Sequence, residues 1–377
     1  MKKTKSYLLA VFTALLLACL LCVSASAADA TSGTLLNFSS SDEFGISAPK
    51  NWDGEIEYSN NAEDWTVWNA TKVTAAQDED GQYRLFFRGK GNTVITGNTP
   101  NCNWVCDGGG KVAAKGNIMT LLDYNDPDNA VMGKECFECM FMNWRNLTSA
   151  PFLPATDLAP WCYEWMFYNC SALTSAPELP ATTLADACYS MMFRGCTGLT
   201  SVTIPGNVTL IDNWMFLWCQ NLEEVFVSAG VTNIGSYAFE NNGKLTRVYI
   251  PETVTEIGDG AFEKCPNLTI YGKSGSYAET YAKENNIPFK AVKEPSLEVS
   301  KTVTEAGTTY TVTATNLPTK AIIIVAMYKD GKFVGCETAN CTGEALNITT
   351  QIPHDSVKIM VWENLANMIP ILPAVEK

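Results

Sequence analysis

The sequence predicts a mixed α/β solenoid flanked by two small all-β, sandwich-like units. Three observations predict it. Phe141, Phe167, Phe193, Phe216, Phe239 and Phe262 recur in steps of 26, 26, 23, 23 and 23 residues. Six copies at a nearly fixed period mark a stacked repeat, because no single copy closes a core and neighbours must bury one another. In each copy a short turn carrying the Phe precedes an extended piece with apolar residues at alternate positions, which reads as a helical turn and then a strand. On either side, residues 28–118 and 294–377 read as short β-prone runs between turn clusters.

The early copies read Cys-Tyr-x-x-Met-Phe-x-x-Cys-x-x-Leu-Thr-Ser-Ala-Pro-x-Leu-Pro-Ala-Thr, as in 162–182. The late ones read Val-Thr-x-Ile-Gly-x-x-Ala-Phe, as in 231–239 and 254–262. This pattern, running from Cys136 to Gly272 of the 377 residues, resembles the BspA-like class of leucine-rich repeat of bacterial secreted and cell-surface proteins. The resemblance implies a curved right-handed leucine-rich-repeat solenoid over 119–293. It also implies a non-catalytic role in adhesion or binding, and no particular ligand.

Composition bounds the function. At 46% hydrophobic and 18% charged residues the chain is globular. A net charge of −14 argues against nucleic acid and anionic membrane surfaces, which need basic patches. The acidity fits a soluble extracellular protein, with calcium binding as the other reading. Lys2, Lys3 and Lys5 precede an apolar run from Tyr7 to Val23, and Ala25-Ser26-Ala27 is an A-x-A cleavage site. Residues 1–27 therefore read as a signal peptide. Leu16-Leu17-Ala18-Cys19 has a lipobox outline, but the residues after it stay apolar. No later segment is long and apolar enough to span a membrane.

Cys136, Cys162 and Cys188 occupy one repeat position, and Cys170, Cys196, Cys219 and Cys265 another. In-phase cysteines read as a buried ladder of small apolar groups, or as crosslinks where coil spacing allows. Cys102/Cys106 and Cys336/Cys341 lie outside the repeats and are the better disulfide candidates. Cys136-Phe-Glu-Cys139 is a lone C-x-x-C whose Cys139 takes the slot of Trp165 and Met191, read as apolar core. No metal site is expected there.

In chain order, strands are expected at 35–39, 55–58, 65–68, 83–87 and 93–95. Trp52, Trp65, Trp68 and Trp104 fit either a sandwich core or a sugar-stacking platform. Residues 117–124 read as the cap on the first coil. The acidic loop Asp123–Asn129 reads as a plain turn, since Pro127 sits where a calcium ligand is needed. After the last coil, Tyr277 to Asn286 is an amphipathic helix with Tyr277, Tyr281 and Ala282 on one face. Beyond a short linker at 293–295, residues 294–377 hold six strands and an Asp330-Gly331 hairpin turn, as in an immunoglobulin- or fibronectin-like unit.

The candidate binding residues are strand residues. With Val202/Ile204, Val225/Val227 and Val248/Ile250 facing inward, Thr203, Phe226 and Tyr249 form an outward column. Phe152 and Glu178 extend it in the early copies, and Ser201, Glu224 and Arg247 form a second column. Exposed aromatics there read either as a binding surface or as strand formers. No catalytic residue or cofactor is expected. His354 is the sole histidine, no Ser/His/Asp or Cys/His set can be drawn, and phosphate loops are absent. Leu153-Pro-Ala-Thr156 and Leu179-Pro-Ala-Thr182 lack the glycine of a sortase signal. The chain reads as a non-catalytic, secreted or cell-surface, adhesin-like bacterial protein engaging host or other-cell proteins. The alternatives are a carbohydrate-binding accessory protein using residues 28–118 and a structural envelope scaffold.

Overall fold

The computed structural model describes residues 34–97, 102–108, 110–292, 296–304, 307–315, 322–329, 332–340, 346–350, 352, 354, 356–362 and 370–376. The leader expected at 1–27 lies outside them.

The repeats stack, but not through helices. Every fourth residue of the turn region has positive φ: Glu135, Cys139 and Asn143, then Trp161, Trp165 and Asn169, then Ala187, Met191 and Gly195. Between them the backbone alternates its hydrogen bonds. Phe137, Cys139, Phe141 and Asn143 donate N–H to Cys162, Glu164, Met166 and Tyr168 of the next coil at 2.7–2.9 Å. Glu138, Met140, Met142 and Trp144 donate to the residue three back, at 2.8–3.4 Å. The result is a run of tandem turns paired coil to coil. A left-handed non-glycine residue costs about 1–2 kcal/mol, and the inter-coil bonds offset that cost. The expected α part is thus absent from the coils, and Tyr277–Glu284 is the one α-helix among the described residues.

The core is a stack of rings. Neighbouring phenylalanines from Phe141 to Phe262 lie 5.3–5.7 Å apart and within 14° of parallel. Tyr281 closes the stack edge-on to Phe262 at 6.1 Å. The helix that carries it buries Ala278, Tyr281 and Ala282, whereas Tyr277 is exposed, contrary to the expected face.

A second ladder explains the cysteines. Cys170, Cys196, Cys219 and Cys265 each place Sγ 3.1 Å from the carbonyl of Phe141, Phe167, Phe193 or Phe239. Asn242 holds the same place in the fifth coil and donates Nδ2 to Phe216 O and Phe239 O, and Trp144 holds it in the first. From the second coil onward this position carries a small donor, which a thiol supplies weakly and an amide strongly.

Ser201–Ile204, Glu224–Val227, Arg247–Ile250, Thr269–Gly272 and Phe289–Ala291 form one parallel sheet. Its register aligns Thr203, Phe226, Tyr249 and Tyr271, as the spacing predicts for the first three. The sheet starts at Ser201–Ile204. The preceding coils carry Pro151, Pro154, Pro177 and Pro180 in this segment, and proline cannot donate to a ladder.

The N-terminal residues cap the stack. Leu36–Ser40 pairs with Tyr83–Lys90 and Val112–Lys115, and the latter runs parallel to Leu147–Ser149 of the first coil. Phe38 meets Phe141 at 6.0 Å and Trp144 at 5.4 Å, so one apolar core runs from Leu36 into the coils. Phe44–Ser47, Val73–Thr74 and Val105–Gly108 form a second, antiparallel sheet, and the core of this all-β part is continuous with that of the coils. The expected strand at 93–95 is a loop, held by Asp53 accepting from the N–H groups of Thr93 and Val94. In the C-terminal part, Ser296–Thr304, Gly307–Thr315 and Leu346–Thr350 form one antiparallel sheet. Lys332–Asn340, Ile322–Lys329, Ser356–Trp362 and Pro370–Glu376 form another. Among the described residues no helix is long and apolar enough to cross a membrane.

Candidate binding surface

The strand column is aligned but covered. Thr203, Phe226 and Tyr249 are only 4%, 5% and 6% exposed. Phe226 and Tyr249 share an apolar cluster with Tyr310, Val312, Ile323 and Val325 of the C-terminal strands. Sequence alternation placed these side chains on the outer face correctly, but that face is packed against a unit far along the chain. Glu224 and Arg247 pair with each other at 3.2 Å, and the Arg247 guanidinium lies 5.3 Å from the Tyr271 ring centre. Phe152 does not join this ladder. It is half-buried at the cap junction, donating N–H to Gly116 O and accepting from Ile118 N. Glu178 is exposed on a segment without strand pairing.

The other sequence candidates also move. Trp52, Trp68 and Trp104 are buried with ring centres 4.9–5.2 Å apart, so they are core rather than a sugar platform. Trp65 has one face taken by the Arg88 guanidinium at 4.1 Å. Cys102 and Cys106 are not joined by a disulfide. The Cys139 thiol hydrogen-bonds Cys102 instead, while Cys106 takes a weak bond from Asn146 Nδ2 at 3.9 Å. Cys341 and the Cys336 side chain lie outside the described residues. His354 is committed structurally, with one ring nitrogen 2.6 Å from Tyr310 Oη and the other 2.7 Å from Ile352 O. The described residues hold no cluster of three metal-ligating side chains.

An open surface lies on the tandem turns. At most of these left-handed positions the side chain leaves the stack; Cys139 is the exception, buried at 4% exposure as its reading as apolar core expects. The Trp165 slot, read from sequence as core, is 36% exposed, and Trp218 is 41% exposed. Trp165 stacks on Tyr168 at 6.0 Å, and Trp214 on Tyr237 at 6.1 Å. Between these coils sits Arg194. Its guanidinium lies 4.5 Å from the Trp218 ring centre and 5.4 Å from that of Tyr168, and Nη1 is 3.7 Å from Met191 Sδ. It makes no ion pair with a carboxylate among the described residues. Sequence reading passed over this set. The available signal was the four-residue spacing of Trp161/Trp165 and of Trp214/Trp218.

Two carboxyls border the strip one column inward. Burial, then the neighbouring Glu164, pushes Glu138 up to about 8. Burial, then Asp212, pushes Glu164 up to about 7.

Comparison with known proteins agrees with the repeat. No curated protein matches the chain. A crystal structure of a leucine rich cell surface protein from Faecalibacterium prausnitzii A2-165 is 27% identical, with a TM-score of 0.31, over 49% of this chain and 46% of that one. The T. pallidum leucine rich repeat protein is 18% identical, with a TM-score of 0.25, over 43% and 63%. The chain thus spans less than two thirds of either structure. A family model for the BspA type leucine rich repeat region matches six copies over residues 140–269. Residues 140–269 are thus similar to the BspA type leucine rich repeat region.

Proposed function

We propose that this is a non-catalytic, adhesin-like binding protein of the bacterial cell exterior, and that it binds partner proteins through the turn edge of its solenoid. The observation that carries the reading is the Trp165–Tyr168–Arg194–Trp218 set: two exposed tryptophans and a half-buried tyrosine about a guanidinium with no carboxylate partner among the described residues. Trp, Tyr and Arg are the side chains that dominate protein interfaces. A guanidinium already held between rings loses little freedom when it binds. Partners are surface proteins of a host or of another cell. Export rests on the leader read in residues 1–27. The carbohydrate reading loses its N-terminal platform, because three of the four tryptophans are core.

The test is capture of the full chain on extracellular matrix proteins and on mucin glycans, for wild type, Trp165→Ala, Trp218→Ala and Arg194→Ala. Protein capture lost in these variants, with melting unchanged, supports the proposal. Capture that survives all three would refute the assigned surface. Capture on glycans alone would refute the protein partner.

A further inference from the structure

We propose that a cavity beside the first strand of the parallel sheet binds a small aromatic molecule carrying a hydroxyl or ring N–H, of the phenol or indole class. The cavity measures about 160 Å³ and lies between Ala176–Pro180 and Val202–Pro205, with Phe193 and Phe216 at its floor. An engineered apolar cavity of about 150 Å³ takes up benzene, so the space suits one small ring.

The cavity follows from sequence. Pro177 and Pro180 cannot donate to a ladder, so this segment forms no strand and leaves the edge of Ser201–Ile204 unaccompanied. The segment is nevertheless pinned: Asn207 Nδ2 donates to Leu179 O at 2.6 Å and to Ala181 O at 2.8 Å. The gap is therefore built into the coil, with a fixed rim.

The lining chooses the ligand. Leu179, Val202, Ile204 and the prolines are apolar. The Phe193 and Phe216 rings lie parallel, 5.3 Å apart, and aromatic ligands meet such rings edge-to-face or offset. The polar lining is Glu178, Thr203 and Asn207, and of these only Thr203 is buried. Thr203 is 4% exposed, lines the cavity, and its Oγ1 has no hydrogen-bond partner. A buried hydroxyl without a partner is unfavourable. The amide nitrogen of Asn207 is already taken by Leu179 O and Ala181 O, and Glu178 is exposed. A ring with a single hydroxyl or N–H satisfies Thr203 and keeps its remaining surface apolar, as in small-molecule sites generally.

The experiment titrates methyl-labelled full chain with phenol, indole and benzene, following Leu179 and Ile204 methyl shifts and ligand-to-methyl NOEs. The expected result is saturable binding of phenol and indole at these methyls, with benzene weaker. Thr203→Val should weaken phenol about threefold to tenfold, the worth of one hydrogen bond, and leave benzene unchanged. Leu179→Trp, with fold checked by near-ultraviolet circular dichroism, should abolish binding. Absence of saturable binding to wild type overturns the site, and the wild-type NOEs decide the matter even where a variant fails to fold. An unchanged phenol-to-benzene ratio in Thr203→Val overturns the role of the hydroxyl.

Discussion

Phe226 and Tyr249 stack at 4.8 Å with their rings 10° from parallel, on adjacent strands of the solenoid sheet and beneath the C-terminal strands. The pair is an interface core, not a free surface. Phe226→Ala should therefore cost about 3 kcal/mol of unfolding free energy, in the range for buried aromatics, by denaturant titration. A change under about 0.5 kcal/mol, typical of surface positions, would show the face to be open.

The thiol ladder makes its own demand. Cys196→Ala removes the donor to Phe167 O and leaves a small void. It should destabilise by about 1–3 kcal/mol. Burial holds Cys219 up to about 12 and Cys265 up to about 11. Native protein at pH 8 should therefore react slowly with alkylating agents at these positions, and denatured protein quickly. Rapid native labelling of Cys196 or Cys219 would contradict the ladder.

Stability should fall as pH rises. Glu138 and Glu164 hold their protons up to about pH 8 and 7 in the folded chain, against about 4.3 when unfolded. Their contribution is therefore full below about pH 4 and is lost as pH climbs through 7 and 8. Glu138 is faced by Glu164, Cys102 and Glu135, which oppose its charge, and by Lys134, which favours it. Melting temperature should be higher at pH 5.5 than at pH 8.5, and Glu138→Gln should flatten that slope. An unchanged slope in the variant would place the titration elsewhere.

What the sequence reveals here divides along a physical line. The phenylalanine step fixes coil number and register, because a period survives any local geometry; hence Thr203, Phe226 and Tyr249 align as spaced. The turn region reads as helical because, beside Asn143, Asn169 and Gly195, many of its left-handed positions carry Trp, Cys, Ala and Met, which have no preference for that conformation. Pairing between coils, not residue propensity, holds them there. The same geometry sends Trp165 outward from a slot that looks like core. Exposure of the strand column depends on the C-terminal strands packing over it, a tertiary fact with no local signature.

The most direct measurement is hydroxyl-radical footprinting of the intact chain, read residue by residue by mass spectrometry. The account predicts rapid oxidation of Trp165 and Trp218, with Phe226 and Tyr249 protected. Protected tryptophans with an oxidised Phe226–Tyr249 pair would contradict it, and would return the binding surface to the strands.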